Sequence, residues 1–478
     1  MINDIKINIA YSEILVYTED GRILYPNSNV AEYDIHPWHT AKFNNKPLLE
    51  KESGVKFPYT LLPSDSNELR LYLCKFYSQN FEGLMDNSFG NFSVFALDEI
   101  YETDKSFIYP VVLYNNDLFY KYDTIDLDER VVECVKNGRA KVVFLQATEG
   151  FYGQNDNDFI WMSNLSKKYE FNKENLCVIT SNFLTTDIFP ELVQKGMIED
   201  NFTILPYSYF QFSLWFHEGG HIITDHTKDK MRGSFNWFIE QNKLNKKPYH
   251  FLAFNRVTKP HRLALFAELM TNDKLIDKSI KSLGAAHNKY PLEFFNILTS
   301  NLDESYKHSK KRLLEFYLNY DASKHYVYDE GDLENNKAAN LNKQAHSVTF
   351  LNIVTESLID DRSIFYSEKI YKPIYCAQPF VLIGNPLSLK KLKELGFKTF
   401  DKWWDESYDN EKNFTKRFEK IVDTLMEISS WDIDKRYQVT QEMEETLKHN
   451  FNIMISNDEV IKLFKSLEIN KEKTDRLI

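Results

Sequence analysis

The chain has 478 residues, of which 43% are hydrophobic and 15% aromatic, and its formal net charge is −12. This length exceeds one ordinary hydrophobic core, so we expect at least two domains, and the composition argues against extensive disorder. The negative charge disfavours a protein that holds nucleic acid mainly by neutralising its phosphates.

Cysteine usage and apolar runs bear on the cellular compartment. Four cysteines are scattered without CxxC spacing, namely Cys74, Cys134, Cys177 and Cys376. This pattern fits a reducing cytosol and gives no support for a cysteine-based zinc site. The N-terminus is charged and lacks the apolar core of a signal peptide, and no window approaches the roughly 20 apolar residues of a membrane span. We therefore expect a soluble cytoplasmic protein.

The first half of the chain begins with mixed signals and then becomes regular. Before residue 130, β-forming residues and one helical spacing give elements at 5–16, 67–81, 93–97 and 111–114. From residue 126 the pattern alternates between amphipathic helices and buried strands, at 127–136, 140–145, 159–168, 176–180 and 202–205. Helix and strand alternating at this spacing are typical of a parallel α/β sheet.

The alternation starts again after a charged, turn-rich stretch at 242–248, which we interpret as a linker. The predicted strands of the second half are 250–254, 348–354, 380–383 and 398–400. The predicted helices are 263–270, a short helix around Glu368, 387–395, and amphipathic helices after 409. Two successive α/β domains predict a cleft between them, and ligands of open α/β sheets bind beyond the carboxyl ends of the strands.

Two polar segments of the second half are candidates for an anion site. The loop 255–262 carries Arg256, Lys259 and Arg262 between a strand and a helix start, where free backbone N–H groups also favour an anion. A solvated basic turn would have the same sequence. Glu368 and Lys369 stand together ahead of a buried strand, where the carboxylate suits sugar hydroxyls and the ammonium a phosphate. They fit equally an exposed ion pair on a helix.

The first half also holds two candidates for chemistry. His217-Glu-Gly-Gly-His221 matches the HExxH zinc-peptidase signature, with Glu240 as a third possible ligand. Two adjacent glycines disfavour the helix that this chemistry needs, and the flanks fit strands around a turn better. Glu149 follows a predicted strand and suits a general base, although a loop-stabilising glutamate would look the same.

Three ordered segments resemble glycosyltransferases of bacteriophages, large viruses and some bacteria. Residues 251–262 (FLAFNRVTKPHR) are similar to their "LNR…R-P-H-R" element. Residues 365–374 (FYSEKIYKPI) with 379–384 (PFVLIG) resemble their "SEK…KP…PF…G" element. Residues 395–400 and 404–409 are similar to the tail that follows, and the Tyr-Ser-Glu-Lys core resembles the donor motif of α1,3-fucosyltransferases.

The resemblance implies an α/β fold of the GT-B type, with two facing Rossmann-like domains and a helical C-terminal segment. The expected parts are an acceptor-side domain at 1–245, a nucleotide-sugar domain at 246–430, and C-terminal helices at 431–478 that return to the first domain. It implies transfer of a sugar from a UDP- or GDP-linked donor to a glycan or to a modified DNA base. No metal or other cofactor is expected.

The residue roles that the resemblance implies divide between donor binding and catalysis. The donor-binding residues would be Arg256, Lys259, Arg262, Glu356, Tyr366, Ser367, Glu368 and Lys369. The basic residues would neutralise the diphosphate, Glu368 would accept from the ribose hydroxyls, and Tyr366 would pack on the nucleotide. For an inverting reaction Glu149 is the predicted base, with His217 behind it. The alternatives are a zinc hydrolase that uses the HEGGH motif and a non-catalytic nucleotide-sugar-binding protein.

Overall fold

The computed structural model describes residues 6–11, 14–17, 23–24, 42–43, 46–47, 57–58, 91–112, 127–146, 152–208, 210–211, 225–255, 259–283, 315, 341–456 and 458–469. The chain divides into two compact units. Unit 1 comprises Met1–Tyr209 and Asn457–Ile478, and unit 2 comprises Phe210–Ser456. The helix predicted at 67–81 lies outside the described residues.

The strands of unit 1 are β1 (Lys6–Tyr11), β2 (Ile14–Tyr17), β3 (Ile23–Leu24), β4 (Lys42–Phe43), β5 (Lys46–Pro47), β6 (Phe57–Pro58), β7 (Asn91–Ala96), β8 (Phe107–Val112), β9 (Ala140–Gln146), β10 (Leu176–Thr180) and β11 (Thr203–Pro206). Six of them form one parallel sheet in the order β11-β10-β9-β8-β1-β7. The chain leaves β1 toward β7 on one side and then builds the other side from β8 onward. This is the strand order of flavodoxin-like doubly wound sheets, extended by one strand.

The strands of unit 2 are β12 (Tyr249–Asn255), β13 (Ser279–Leu283), β14 (Thr349–Thr355) and β15 (Phe380–Ile383). They pair in parallel in the order β13-β12-β14-β15. The order again reverses beside the first strand, because β13 lies on one side of β12 and β14 on the other. β15 is buried at all four positions, as expected for a strand covered on both faces.

The described helices are α1 (Leu97–Tyr101), α2 (Glu129–Lys136), α3 (Asp156–Tyr169), α4 (Thr185–Gln194), α5 (Asp225–Leu244), α6 (Pro260–Thr271), α7 (Lys343–Val348), α8 (Glu368–Tyr375), α9 (Ser388–Glu394), α10 (Phe414–Ser429), α11 (Ile433–Glu442), α12 (Glu444–Ile455) and α13 (Asp458–Leu467). Local sequence explains several of their ends. Asp128 caps α2, which stops before Gly138 at φ +70°, and Ser367 caps α8. Among the described helices, none is long and apolar enough to cross a membrane.

The core of unit 1 packs helices α1 to α4 against the six-stranded sheet. Phe144 of β9 meets Trp161 of α3 edge to face at a ring distance of 5.7 Å. Phe159 of α3 likewise meets the buried Tyr152 at 5.4 Å. The last of the described helices, α13, belongs to this unit, and the Ser466 carbonyl accepts a hydrogen bond from Lys141 Nζ of β9 at 2.9 Å. The unit therefore consists of two separate parts of the sequence.

Two sequence predictions in the second half differ from the structure. The stretch 242–248 begins as helix, since α5 continues to Leu244, and the buried Asn242 side chain donates to the Ala377 carbonyl at 2.8 Å. This contact joins the end of α5 to the residues that follow α8, within unit 2. The strand predicted at 398–400 is wrong. Side chains bind the backbone there. The Asn450 side chain bonds both the N–H and the carbonyl of Lys398, and the Glu406 carboxylate accepts from the Phe400 N–H.

Candidate functional site

The candidate site lies at the carboxyl ends of β12 and β14, the two strands beside which the order of the unit 2 sheet reverses. β12 ends at Asn255 and β14 ends at Thr355, and the Thr355 hydroxyl donates to the Asn255 side-chain oxygen. Both residues are buried. Connections that leave neighbouring parallel strands in opposite directions open a crevice at that edge, which is where open α/β sheets bind ligands. Unit 2 thus has a topological switch point bordered by polar groups.

The amino-terminal end of α6 holds the loop that follows β14. Lys259 Nζ donates to the Ser357 carbonyl at 2.6 Å, and His261 Nε2 lies 2.8 Å from the Glu356 carbonyl. An Nη of Arg262 donates to the same carbonyl at 3.3 Å and to that of Thr355 at 3.4 Å. Three consecutive carbonyls of the loop are therefore tied to α6.

Burial fixes the charge state of His261. Desolvation and the neighbouring Arg262 lower the pKa of the ring to about 3, so the imidazole is neutral at physiological pH. Because a carbonyl oxygen can only accept, the neutral ring carries its proton on Nε2. His261 is hence a neutral donor to the loop rather than a cation of the site.

The Glu356 side chain positions the start of α8. Its carboxylate accepts from the backbone N–H of Ser367 at 3.1 Å and from the Ser367 hydroxyl at 2.5 Å. Burial raises the pKa of the Glu356 carboxyl, and the Lys369 ammonium and the bonds from Ser367 offset part of that rise. The Ser367 oxygen in turn accepts from Lys369 N at 3.4 Å, which caps the helix. Glu356 and Ser367 thereby connect the end of β14 to α8.

Glu368 and Lys369 are partly exposed side chains of this cluster, as is Lys259. Their carboxylate and ammonium form an ion pair at 2.7 Å, and the side chains are 15% and 21% exposed. Burial raises the pKa of Glu368, but the Lys369 and Lys372 charges outweigh this effect and lower the pKa below its usual value. A partly exposed ion pair of this kind can exchange its internal bond for bonds to a ligand's hydroxyl and phosphate groups.

Further contacts fix the backbone behind α8. The Tyr366 hydroxyl donates to the Ser388 carbonyl at 2.5 Å, and Tyr366 is almost fully buried. Asp409 accepts from Leu389 N at 2.8 Å and from Lys390 N at 3.0 Å. It thereby caps α9, whose own preceding residue Leu387 supplies no side-chain bond and has φ +66°. The tail segment 404–409 thus contributes a long-range helix cap.

The predicted site residues fall into three groups. The described structure brings six of them together, namely Lys259, Arg262, Glu356, Ser367, Glu368 and Lys369. Tyr366 is adjacent in sequence but is buried against α9. Glu149, His217 and Arg256 lie outside the described residues, as does the whole HEGGH motif, and their roles stay predictions.

Two residues of the site region had no assigned role in the sequence analysis. Thr355 and Asp409 carry polar groups that bind at sites distant in sequence. Thr355 could have been identified from the sequence, because it is a polar residue at the end of an apolar strand. Nothing local marked Asp409 as a cap. Comparison with protein-family models, with curated proteins and with solved structures finds no match to this chain.

Proposed function

We propose that the chain is a glycosyltransferase that binds a nucleotide sugar at the candidate site of unit 2. One observation carries the proposal. The Glu368–Lys369 pair stands at the start of α8, which Glu356 ties to the end of β14 at the topological switch point. This crevice is the general ligand position of open α/β sheets, and the pair offers a carboxylate and an ammonium together.

The chemistry of a nucleotide sugar matches these groups. Its ribose and sugar hydroxyls are donors for the ionised Glu368, and its diphosphate needs cations such as Lys369 and Lys259. During transfer the diphosphate leaves with growing negative charge, which fixed cations stabilise. Arg262 supports the site differently from the role predicted for it, because its guanidinium binds the carbonyls of the β14–α8 loop.

The acceptor side of the proposal is supported by the sequence alone. An acceptor hydroxyl that attacks the anomeric carbon must lose its proton, and Glu149 with His217 behind it is the proposed base. A glycan and a modified DNA base are both suitable acceptor classes, since each presents a hydroxyl group. The GT-B arrangement of two facing domains is part of this proposal.

Calorimetric titration of the full chain with UDP, GDP, CMP and their sugar-linked forms tests the donor site. We expect Glu368→Ala to weaken the bound nucleotide by about tenfold to a hundredfold, because hydrogen bonds to a charged group contribute about 1.5–3 kcal/mol. Glu445→Ala is the matched control, as Glu445 is an exposed glutamate of unit 2 paired with Lys448 at 3.4 Å. Unchanged affinity in Glu368→Ala would remove the site assignment, and no binding of any nucleotide would refute the function.

Turnover separates the transferase from its alternatives. Product analysis with glycans and with hydroxymethylated DNA as acceptors should show sugar transfer that Glu149→Gln abolishes while nucleotide affinity stays unchanged. A chain that binds the donor but neither transfers its sugar nor hydrolyses it would favour a non-catalytic binding protein. Stoichiometric zinc that is lost in His217→Ala would favour the hydrolase.

A further inference from the structure

A cleft of about 410 Å³ lies in unit 1 at the edge of the sheet opposite to the carboxyl ends of the strands. Residues at the starts of three neighbouring strands line it. They are Ala140, the first residue of β9, Cys177, the second of β10, and Thr203, the first of β11. The C-terminal end of α13 closes its side with Lys465, Ser466 and Glu468. Its volume lies within the range of about 300–1,000 Å³ that is usual for small-molecule sites.

The lining of this cleft is basic although the chain as a whole is acidic. Four lysines face two glutamates in it, namely Lys136, Lys141, Lys173, Lys465, Glu174 and Glu468. The lining therefore carries a formal charge of +2, in a chain whose net charge is −12. Its neutral polar groups come from Asn172, Asn175, Thr203 and Ser466. A polar cleft with local positive charge suits a small anion rather than an apolar ligand.

Lys141 is the central cation of the cleft. Its ammonium donates to the Ser466 carbonyl at 2.9 Å, which uses one of its three N–H groups. Burial lowers the pKa of Lys141, against the weaker opposing influence of Cys177 and Glu174. A bound anion would stabilise the ammonium form of this half-buried side chain, because opposite charge favours ionisation.

The other lysines can be recruited at low cost. Lys136 pairs with Glu170 and Lys173 with Asp200, each at 2.8 Å, and all four side chains are about half exposed or more. Exposed pairs of this kind contribute about 0–1 kcal/mol, so a phosphate can compete for both ammonium groups. Lys465 lies in the last turn of α13. Three exposed cations thus surround one that is partly buried.

The geometry points to a binding site for a small phosphate-bearing anion in this cleft, held by Lys141 and Lys465 with Lys136 and Lys173 at its rim. The size of the cleft limits the ligand to a small molecule, such as a phosphorylated sugar, a nucleoside monophosphate or inorganic pyrophosphate. The inference does not depend on the proposed function, because the candidate nucleotide-sugar residues all belong to unit 2.

Calorimetric titration of the full chain with inorganic pyrophosphate, uridine monophosphate and glucose 6-phosphate tests the site and distinguishes the three sources of phosphate. We expect Lys141→Met to weaken the best probe by about tenfold or more, since it removes a charge-assisted bond in a partly buried position. Lys465→Met, which changes an exposed side chain, should weaken the binding of that probe by about threefold. Lys167→Met is the control, because Lys167 is an exposed lysine of unit 1 paired with Glu199 outside the cleft.

The outcomes decide the proposal either way. Weakened binding in Lys141→Met and Lys465→Met, with wild-type affinity in Lys167→Met and in Lys369→Met, supports the site. Failure of all three probes to bind the wild-type chain overturns it. Equal affinity in Lys141→Met and wild type also overturns it, as does a loss confined to Lys369→Met, which would locate the bound phosphate in unit 2. Circular dichroism of each variant checks that the fold is kept.

Discussion

Replacing Glu356 by alanine perturbs the connection between β14 and α8 at a single point. The carboxylate accepts two hydrogen bonds from Ser367, through its N–H and its hydroxyl, and the residues are 3% and 1% exposed. A buried donor that loses its acceptor costs about 1–3 kcal/mol. Removing the carboxylate also removes the cost of burying its charge, and the raised pKa of Glu356 reflects that cost. We therefore expect Glu356→Ala to lower the free energy of unfolding by about 2–4 kcal/mol.

Urea unfolding measures this loss, and amide hydrogen exchange locates it. Exchange should accelerate in Glu368–Tyr375, because the helix loses the support of its capping residue. Glu356→Gln keeps one acceptor oxygen and should lose less stability than the alanine variant. Glu445→Ala serves as control, because the Glu445 side chain is 87% exposed, and it should change the free energy of unfolding by less than about 0.5 kcal/mol. A Glu356→Ala loss no larger than that of the control, with unchanged exchange in α8, would refute the positioning role.

Two further predictions concern the segment 404–409. Burial raises the pKa of Glu406 to about 7 from 4.5, so the folded state binds the extra proton between these values and stability falls as pH rises through this window. Glu406→Gln should remove about 3 kcal/mol of this decline in the free energy of unfolding. Urea unfolding between about pH 5 and pH 8 measures the difference, and a variant whose stability depends on pH as the wild type does would contradict the prediction. Asp409→Ala should lower the free energy of unfolding by about 1–3 kcal/mol, because two backbone N–H groups of α9 lose their acceptor. Thermal unfolding measures this loss, and a variant that unfolds at the same temperature as the wild type would exclude the cap.

Local sequence was sufficient for the elements that are bounded by strong signals. β10 occupies 176–180 as predicted, because four apolar residues and a threonine there are enclosed by polar and turn-forming ones. The short helix predicted around Glu368 is α8, and its start has Ser367 as the cap and Glu368 in the first turn. Both α/β units were likewise predicted from the repeated alternation of helix and strand, and the structure contains a parallel sheet in each.

Long-range contacts set the limit of prediction. Arg262 looked like a cation of a polar loop, yet every residue from 261 to 269 is buried in α6. Such a helix has no polar face that periodicity could reveal. Its arginine donates hydrogen bonds to carbonyls almost a hundred residues away. The strand predicted at 398–400 failed for a related reason, since Asn450 supplies the partners that a neighbouring strand would give. Partners distant in sequence decide such cases.

The membership of α13 in unit 1 has a consequence for synthesis on the ribosome. Residues up to 209 are made early, whereas α13 follows only after the whole of Phe210–Ser456. Elongation at about 5–20 residues per second places roughly 10–50 s between the two parts. During that interval the nascent sheet edge that includes Lys141 lacks its covering helix, and Leu463 and Leu467 have yet to bury their side chains. Unit 1 begins before unit 2 in the sequence and is therefore completed only after unit 2 has been made.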